Sequence, residues 1–538
     1  MQDKNEKFGA HQHLVERIGE DLGRGVSRRD VLRALMASGI LATTAGGLLT
    51  HTGAAFAQTP KKGGKIRVAV GAGSTSDTLD PAKGANIADS VRHYMFYSRL
   101  TTIDTELTPQ MALAESMNTK DGALWTIKLR KDVRFHDGKP LTSADVVYSL
   151  LRHKNPTTAS KAKAVAEEFE EIKATGPLEL QIKLNSPNVD LPALLGTAHF
   201  SIIKDGTTDF TTAIGTGPYK CKEFKPGVRS ISVRNDDYWK PGKPYLDEIE
   251  YFSIPDEAAR VNALLSGDVH LINAINPRSA PTVSAAPGYT LFESKTGHYT
   301  DIIMRDNLGP VKNPDFVLAM KYMLDREQML KVAMRGFGII GNDQPVQPSN
   351  RFYFSGLPQR TFDLDKAKFH LQKSGMAGQT LPVVASTAAN GSVDMAQILQ
   401  LSAQKAGLNL DIKRMPADGY WSNHWAKHPM SFGNISPRPT VDLMFTLFYK
   451  SDSSMNVSGW KNEKFDQLLD AARGETNEAK RKQMYADMQV LVHEQCGVGI
   501  PMFINSVDGF TNKLKGYGSH PLAGLMGFDF AEHVWLDA

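Results

Sequence analysis

Two glycine-rich stretches and one histidine pair are the first residues in this 538-residue sequence whose spacing could serve chemistry. "GFGIIG" at residues 336–341 fits G-x-G-x-x-G. That spacing cradles a pyrophosphate only when a strand precedes the glycines and a helix follows, so that the helix N–H groups meet the phosphates. Here a helical pattern comes first and "NDQPVQPSN", with two prolines, comes after, so the glycines read as a helix end and a loop. "GTGPYK" at residues 215–220 lacks the Lys-Ser/Thr ending of a phosphate loop and reads as a turn entering a strand. His424 and His428 have the i,i+4 spacing that could put two imidazoles on one helix face for a metal. No Glu follows His424 directly, Pro429 stops the helix and no third ligand lies nearby, so the two read as a surface pair. The sequence carries no G-x-S-x-G elbow, no H-E-x-x-H and no EF-hand loop. Adjacent carboxylates such as Asp236 and Asp237 are common in loops and do not by themselves make an acid/base couple. The chain is expected to hold neither a cofactor nor a catalytic metal and not to be an enzyme.

Aromatic residues in irregular stretches point instead to ligand binding. Tyr94, Phe96 and Tyr97 follow the loop "TLDPA", and Tyr420, Trp421 and Trp425 stand just before "FGNISPRPTVD". Such rings can line a cleft or pack a core. The 62 Lys and Arg and 58 Asp and Glu are interspersed, for a net charge of +4, and no concentrated basic face suggests a nucleic-acid partner. Cys221 and Cys496 are the only cysteines, too far apart for a Cys-x-x-Cys unit; they either pair in an oxidising compartment or remain two buried thiols.

The elements that must position these residues are of mixed type. Strand patterns occur at residues 65–70, 124–135, 178–184, 230–236 and 248–254, bounded by Gly, Pro, Asn or Asp. Thr142, with Asp145 three residues on, predicts a capped helix over "SADVVYSLLR". Past Asp306 helices dominate. "PDFVLAMKYMLDREQMLKVAMRG" places Val317, Met320 and Leu324 on one stripe and ends at Gly336, and residues 394–407 and 477–495 form two more helices, each feeding a strand. A helix followed at once by a strand, repeated, is the pattern of an α/β layer. A strand near residues 499–507 could return the chain from its helix-rich second half to its strand-rich first half, making two lobes with a cleft between them.

At the N-terminus, Arg24, Arg28, Arg29 and Arg33 precede a mildly apolar run from Ala34 to Thr50, and "AFA" at residues 55–57 supplies the small residues a signal peptidase reads. Residues 1–57 read as a removable export signal, and Ser27-Arg28-Arg29-Asp30-Val31-Leu32-Arg33 resembles the twin-arginine type, with Val31 where Phe is more usual. Removing them takes away seven basic and six acidic residues and leaves a charge of +3. No later stretch approaches the roughly 20 apolar residues of a spanning helix.

Several stretches together resemble the peptide-type (family 5) extracellular solute-binding proteins of ABC importers. They are "TLDPA", "LAESMNTKDGALWTIKLRKDVRFHDGKPLTSADVVYSLLR", "GTGPYKCKEFKPG", "RNDDYWKPGKPYLDEIEY", "ALLSGDVHL" and "SGWKNEKFDQLL", in the family's order and spread over nearly the whole chain beyond residue 57. The resemblance implies a two-lobed α/β periplasmic binding protein fold of type II with an extra subdomain in lobe I. Lobe I would span residues 58–302, lobe II 303–498, with a return to lobe I over 499–538. It also implies a periplasmic, monomeric protein that encloses a peptide or peptide-like solute between closing lobes and hands it to a membrane permease, after passage through the twin-arginine translocase. A non-peptide ligand such as an opine, a sugar or a metal chelate is the alternative within the family; an exported cofactor enzyme is the alternative outside it.

Family members commonly hold a peptide's ammonium with an acid and its carboxylate with a base, and dipeptide binders place the acid in a Trp-x-Gly-Asp run. The comparable segment here, Phe432-Gly433-Asn434-Ile435-Ser436-Pro437-Arg438, has Ser436 near the position of that Asp. Arg438 would favour a carboxylate through a two-pronged hydrogen bond, and Asp442 could supply the missing acid. With Ser76, Asp77 and Thr78 on the first loop, and Tyr94, Tyr299, Trp421 and Asn434, these residues form the expected ligand-binding set.

Overall fold

The first predicted strand, Lys65–Val70, is buried from Val68 onward because it lies in the interior of an 11-stranded sheet. The computed structural model describes residues 59–537; the export segment and its arginine pair lie outside the described residues. The sheet runs Asn409–Met415, Thr380–Ser386, Met430–Ile435, Tyr289–Met304, Val498–Thr511, Leu271–Ile272, Lys65–Val70, Glu248–Ser253, Arg229–Arg234 and Tyr219–Lys225, with Gly338–Ile340 paired alongside Val498–Thr511. Two of its strands are long. Tyr289–Met304 and Val498–Thr511 pair antiparallel at the centre and pass through both halves of the sheet.

Burial shows where each changes half. Tyr299, Ile302, Ile303 and Met304 of the first crossing strand, and Val498, Ile500, Met502 and Phe503 of the second, belong to the two cores that flank the sheet beside the second-half helices. Val507 and Phe510 belong to the cores of the other half, against which Leu291 and Phe292 also pack. The ladder loses register between Ser294 and His298, and a bulge of this kind bends and twists a strand.

A separate four-stranded antiparallel sheet (Ala114–Thr119, Leu124–Leu129, Glu179–Leu184, Phe169–Gly176) forms a third body with its own core, which includes Trp125, Ile127, Leu150 and Ile182. Its helix Ser143–Leu151 begins as predicted: the N–H of Thr142 donates to the Asp145 carboxylate at 2.8 Å.

The stripe through Val317, Met320 and Leu324 is buried, but the expected single helix is two, Pro314–Tyr322 and Arg326–Ala333. Asp325 causes the break, since its carboxylate accepts the N–H of Gln328 and starts the second helix. Gly336 has φ +89°, the left-handed conformation expected past a helix end.

The four-stranded body also touches the second-half helices. Asp190 takes both Nη atoms of Arg481, at 2.8 and 2.5 Å, and the N–H of Val189 donates to the carbonyl of Arg473. Both members of the ion pair are buried.

Candidate functional site

Arg438 follows the strand Met430–Ile435, whose register sets Ile435 against Tyr299 and Asn434 against Thr300 of the first crossing strand. Its guanidinium lies over the Phe448 ring at 5.1 Å, and Nη1 donates to the carbonyls of Ser436 (2.9 Å) and Pro437 (3.3 Å). Among the described residues it forms no ion pair with any carboxylate. Burial pulls its pKa down from the ordinary arginine value while the nearby Tyr299 opposes this, and a guanidinium keeps its charge regardless. A half-buried cation satisfied only by two backbone carbonyls still has donors for a bidentate anion.

Tyr299 and Asn434 support this segment. Asn434 Nδ2 donates to Thr300 Oγ1 (2.9 Å) and to the carbonyl of Tyr299 (3.3 Å). Tyr299 is fully buried and shares a hydrogen bond with the Tyr449 hydroxyl at 3.2 Å, so it is a wall beneath Arg438 and not an exposed contact. Ser436 is exposed beside Arg438, and Trp421 is exposed with its ring edge-on to Tyr420 and Trp425.

Two expected carboxylates are already engaged. Asp77 is buried against Arg92 at 2.9 Å and also accepts from Ser74 and Asn86. Asp442 is buried with both oxygens 3.2–3.3 Å from Arg473 Nε, and burial, with Asp190 adding to it, raises its pKa to about 6 despite that arginine. Neither is free to meet a ligand ammonium. Ser76 is exposed and paired with Ser74, while Thr78 is half-buried and accepts the N–H of Asp80. Tyr94 belongs to the first-half wall, where it lines a cavity of about 280 Å³. A larger cavity, about 770 Å³, lies against the helix Ser143–Leu151 and contains none of the expected residues.

Two groups on the first crossing strand, either side of Tyr299, escaped the sequence reading. Asp301, two residues past Tyr299, is 1% exposed with no ion-pair partner among the described residues, and burial pushes its pKa up to about 7 against the N–H groups of Asp301 and Gly433. Its Oδ1 and the Nε1 of Trp425 make no hydrogen bond, and both crowd Gly433 so closely that a side chain there would collide with them. His298 is pulled down to about 4 by burial, with Asn434 opposing. Residues 299–304 are all buried, so no alternation along the strand singles out Asp301; its only sequence signal is a lone carboxylate in an otherwise uncharged run. Cys221 and Cys496 are both free and pack in different halves, which resolves the two alternatives in favour of separate thiols.

The sequence model of the bacterial extracellular solute-binding proteins, family 5 (middle), matches residues 108–456, well over half of the chain. The chain belongs to this family. A relative, the oligopeptide-binding protein AppA of Bacillus subtilis (strain 168), is 25% identical over 481 residues, covering 82% of this chain and 86% of AppA. Among solved structures, the periplasmic binding protein DppA of Helicobacter pylori in complex with the peptide STSA has a TM-score of 0.74 at 23% identity, covering 89% of this chain and 99% of that one. The binding protein AgaA from A. tumefacien R10 in complex with agropinic acid has a TM-score of 0.72 at 22% identity, covering 88% and 99%. This family 5 protein therefore has the two-lobed α/β binding fold, and the family is a class of solute-binding proteins that work outside the cytoplasm with ABC importers.

Proposed function

We propose that this protein captures a peptide or peptide-like solute with a free carboxylate, holds that carboxylate on Arg438, and delivers the closed complex to an ABC permease. The observation that carries the reading is the half-buried guanidinium of Arg438, which has no carboxylate partner among the described residues. The protein acts without chemistry of its own: the ligand's binding free energy favours the shut form because only that form contacts it from both lobes. On this reading the lobes exchange at the register break of residues 294–298 and opposite it near Ile504 to Ser506, several residues before the 302/303 boundary expected from the sequence. The arginine pair at Arg28 and Arg29 directs the folded chain through the twin-arginine translocase to the periplasm, where it works as a monomer.

A second reading is favoured by the carboxylates. Asp77 and Asp442 are occupied, and Asp301 is protonated up to near neutrality, so none of these three acids stands ready for a ligand ammonium. A solute recognised by its carboxylates alone, such as an opine, fits that balance; AgaA, a structural neighbour, holds agropinic acid.

Native mass spectrometry of the protein purified from its own host identifies the co-purifying solute. A peptide is expected, an opine supports the second reading, and a tightly held redox cofactor overturns both. In calorimetry with the identified solute, Arg438→Ala is expected to weaken binding by roughly 2–5 kcal/mol, the cost of leaving a desolvated carboxylate unpaired. Unchanged affinity removes Arg438 from the site.

A further inference from the structure

We propose that the cavity of about 280 Å³ beneath Tyr94 is a binding site for a compact oxyanion, a carboxylate or phosphate group, received by the guanidinium of Arg99. Arg99 is 4% exposed, yet its Nε and Nη1 make no hydrogen bond, and its nearest carboxylate, Asp529, approaches only Nη2, at 4.0 Å. The guanidinium carbon lies 3.6 Å from the centre of the Tyr94 ring, a contact that holds the group in the cavity wall. Buried donors left unpaired are costly, and a guanidinium fork matches the two oxygens of a carboxylate or phosphate.

Of the other charged groups around the cavity, Asp529 lies 4.0 Å from both Arg99 and His533, and the rest are hydrogen-bonded. Lys240 is bound to Glu532 at 2.8 Å, His533 Nδ1 lies 3.1 Å from Lys243, and His520 is hydrogen-bonded to the carbonyl of Ile103. Asp104 is held by the N–H groups of Glu106 and Thr108 and by the Gln110 amide. Arg99 is thus the group with capacity to spare, in a space that would hold several waters or one small polyatomic ion.

One wall is built at a conformational cost. Leu525, Met526 and Phe528 all have left-handed backbones (φ 53°, 55° and 80°), each costing about 1–2 kcal/mol for a residue with a Cβ. The turn is held by Asp508, whose carboxylate accepts the N–H of Leu525 and the hydroxyl of Tyr517. Strain of this kind persists where surrounding structure over-determines it, most often at ligand sites. The rim leads towards Arg438. Leu522 lines the cavity, and the carbonyl of the adjacent Pro521 accepts the N–H of Gly297, which packs against Pro437.

The inference does not depend on Arg438 binding solute. Its occupant is either an anionic group of the imported solute or a separate small anion. The test uses thermal unfolding and calorimetry with inorganic phosphate and with acetate, at ionic strength matched by sodium chloride. At least one probe is expected to raise the Tm saturably. Arg99→Met is expected to weaken that binding at least about tenfold, while Arg438→Ala leaves it intact. Without anion, Arg99→Met is expected to unfold no earlier than the parent chain, because an unmet buried charge has been removed. A parallel tenfold loss for the solute recovered from the host assigns the site to the solute; a loss for the probe alone assigns it to a separate anion. If Arg99→Met does not fold, Arg99→Lys, which keeps the charge and loses the fork, is expected to lose the same probe affinity. The proposal is overturned if neither probe moves the Tm of the parent chain and the solute binds Arg99→Met, or Arg99→Lys in its place, as tightly as the parent. That result leaves the Arg438 reading standing on its own calorimetry.

Discussion

At the scale of single residues, the chemistry of this protein is set by which charges have partners. Among the described residues Asp301 pairs with no cation, and its folded pKa, about 7, stands above the usual 3.8. A raised carboxyl contributes its stabilisation fully below the unfolded value and loses it as pH rises through the folded one. Stability should therefore fall between about pH 4 and 7 with a contribution of up to about 1.4 kcal/mol per pH unit from this proton, and Asp442, raised to about 6, adds in the same direction. Asp301→Asn is expected to flatten that slope and to be more stable than the parent above pH 7, as read by urea unfolding at several pH values; an unchanged slope would show that the aspartate is ionised in the fold. Arg438 stood out in the sequence as a candidate because it follows a recognisable segment. The engagement of Asp77 and Asp442 was not, because each partner is brought in by a turn of structure 15 and 31 residues away.

At the scale of elements, local signals located the helices well and joined them less well. Thr142, Asn477 and Gly407 mark ends that the fold respects, whereas the break at residues 323–325 needed the observation that Asp325 prefers to cap a new helix. The two crossing strands were legible only in part. Both their faces are buried, so the apolar pattern does not alternate, and their partners lie some 200 residues away in the chain. Tertiary ties of this kind also fix the helices to one another. Asp343 receives Arg326 at 2.7 Å and Arg360 at 2.6 Å, while Arg360 and Lys321 both donate to the carbonyl of His493 at the end of Glu478–Gln495. The two arginines hold the Asp343 carboxyl far below the usual range in spite of its burial. Asp343→Ala would leave them uncompensated, and a loss of roughly 3–5 kcal/mol is expected in denaturant unfolding.

At the scale of the whole molecule, the fold class was read from the order of motifs along the chain, while the contact between the four-stranded body and the second lobe was not, since Asp190 and Arg481 are 291 residues apart. Asp190→Ala is expected to cost roughly 3–5 kcal/mol and to weaken solute binding through a smaller closed population, with an increased radius of gyration by X-ray scattering. An unchanged radius with unchanged affinity would make the pair a local brace. The central position of Val498–Thr511 has one more consequence. This strand sits between Tyr289–Met304 and Leu271–Ile272 and serves both lobes, yet every other strand of the sheet precedes it in the chain. Neither lobe can close its sheet until this strand has followed all of its neighbours, so closure waits on distant pairings, which are slow to form. During that interval the exposed strand edges on either side of the gap are open to other chains, and a nascent chain arrested before residue 498 should be a substrate for holding chaperones and not a half-folded binding protein.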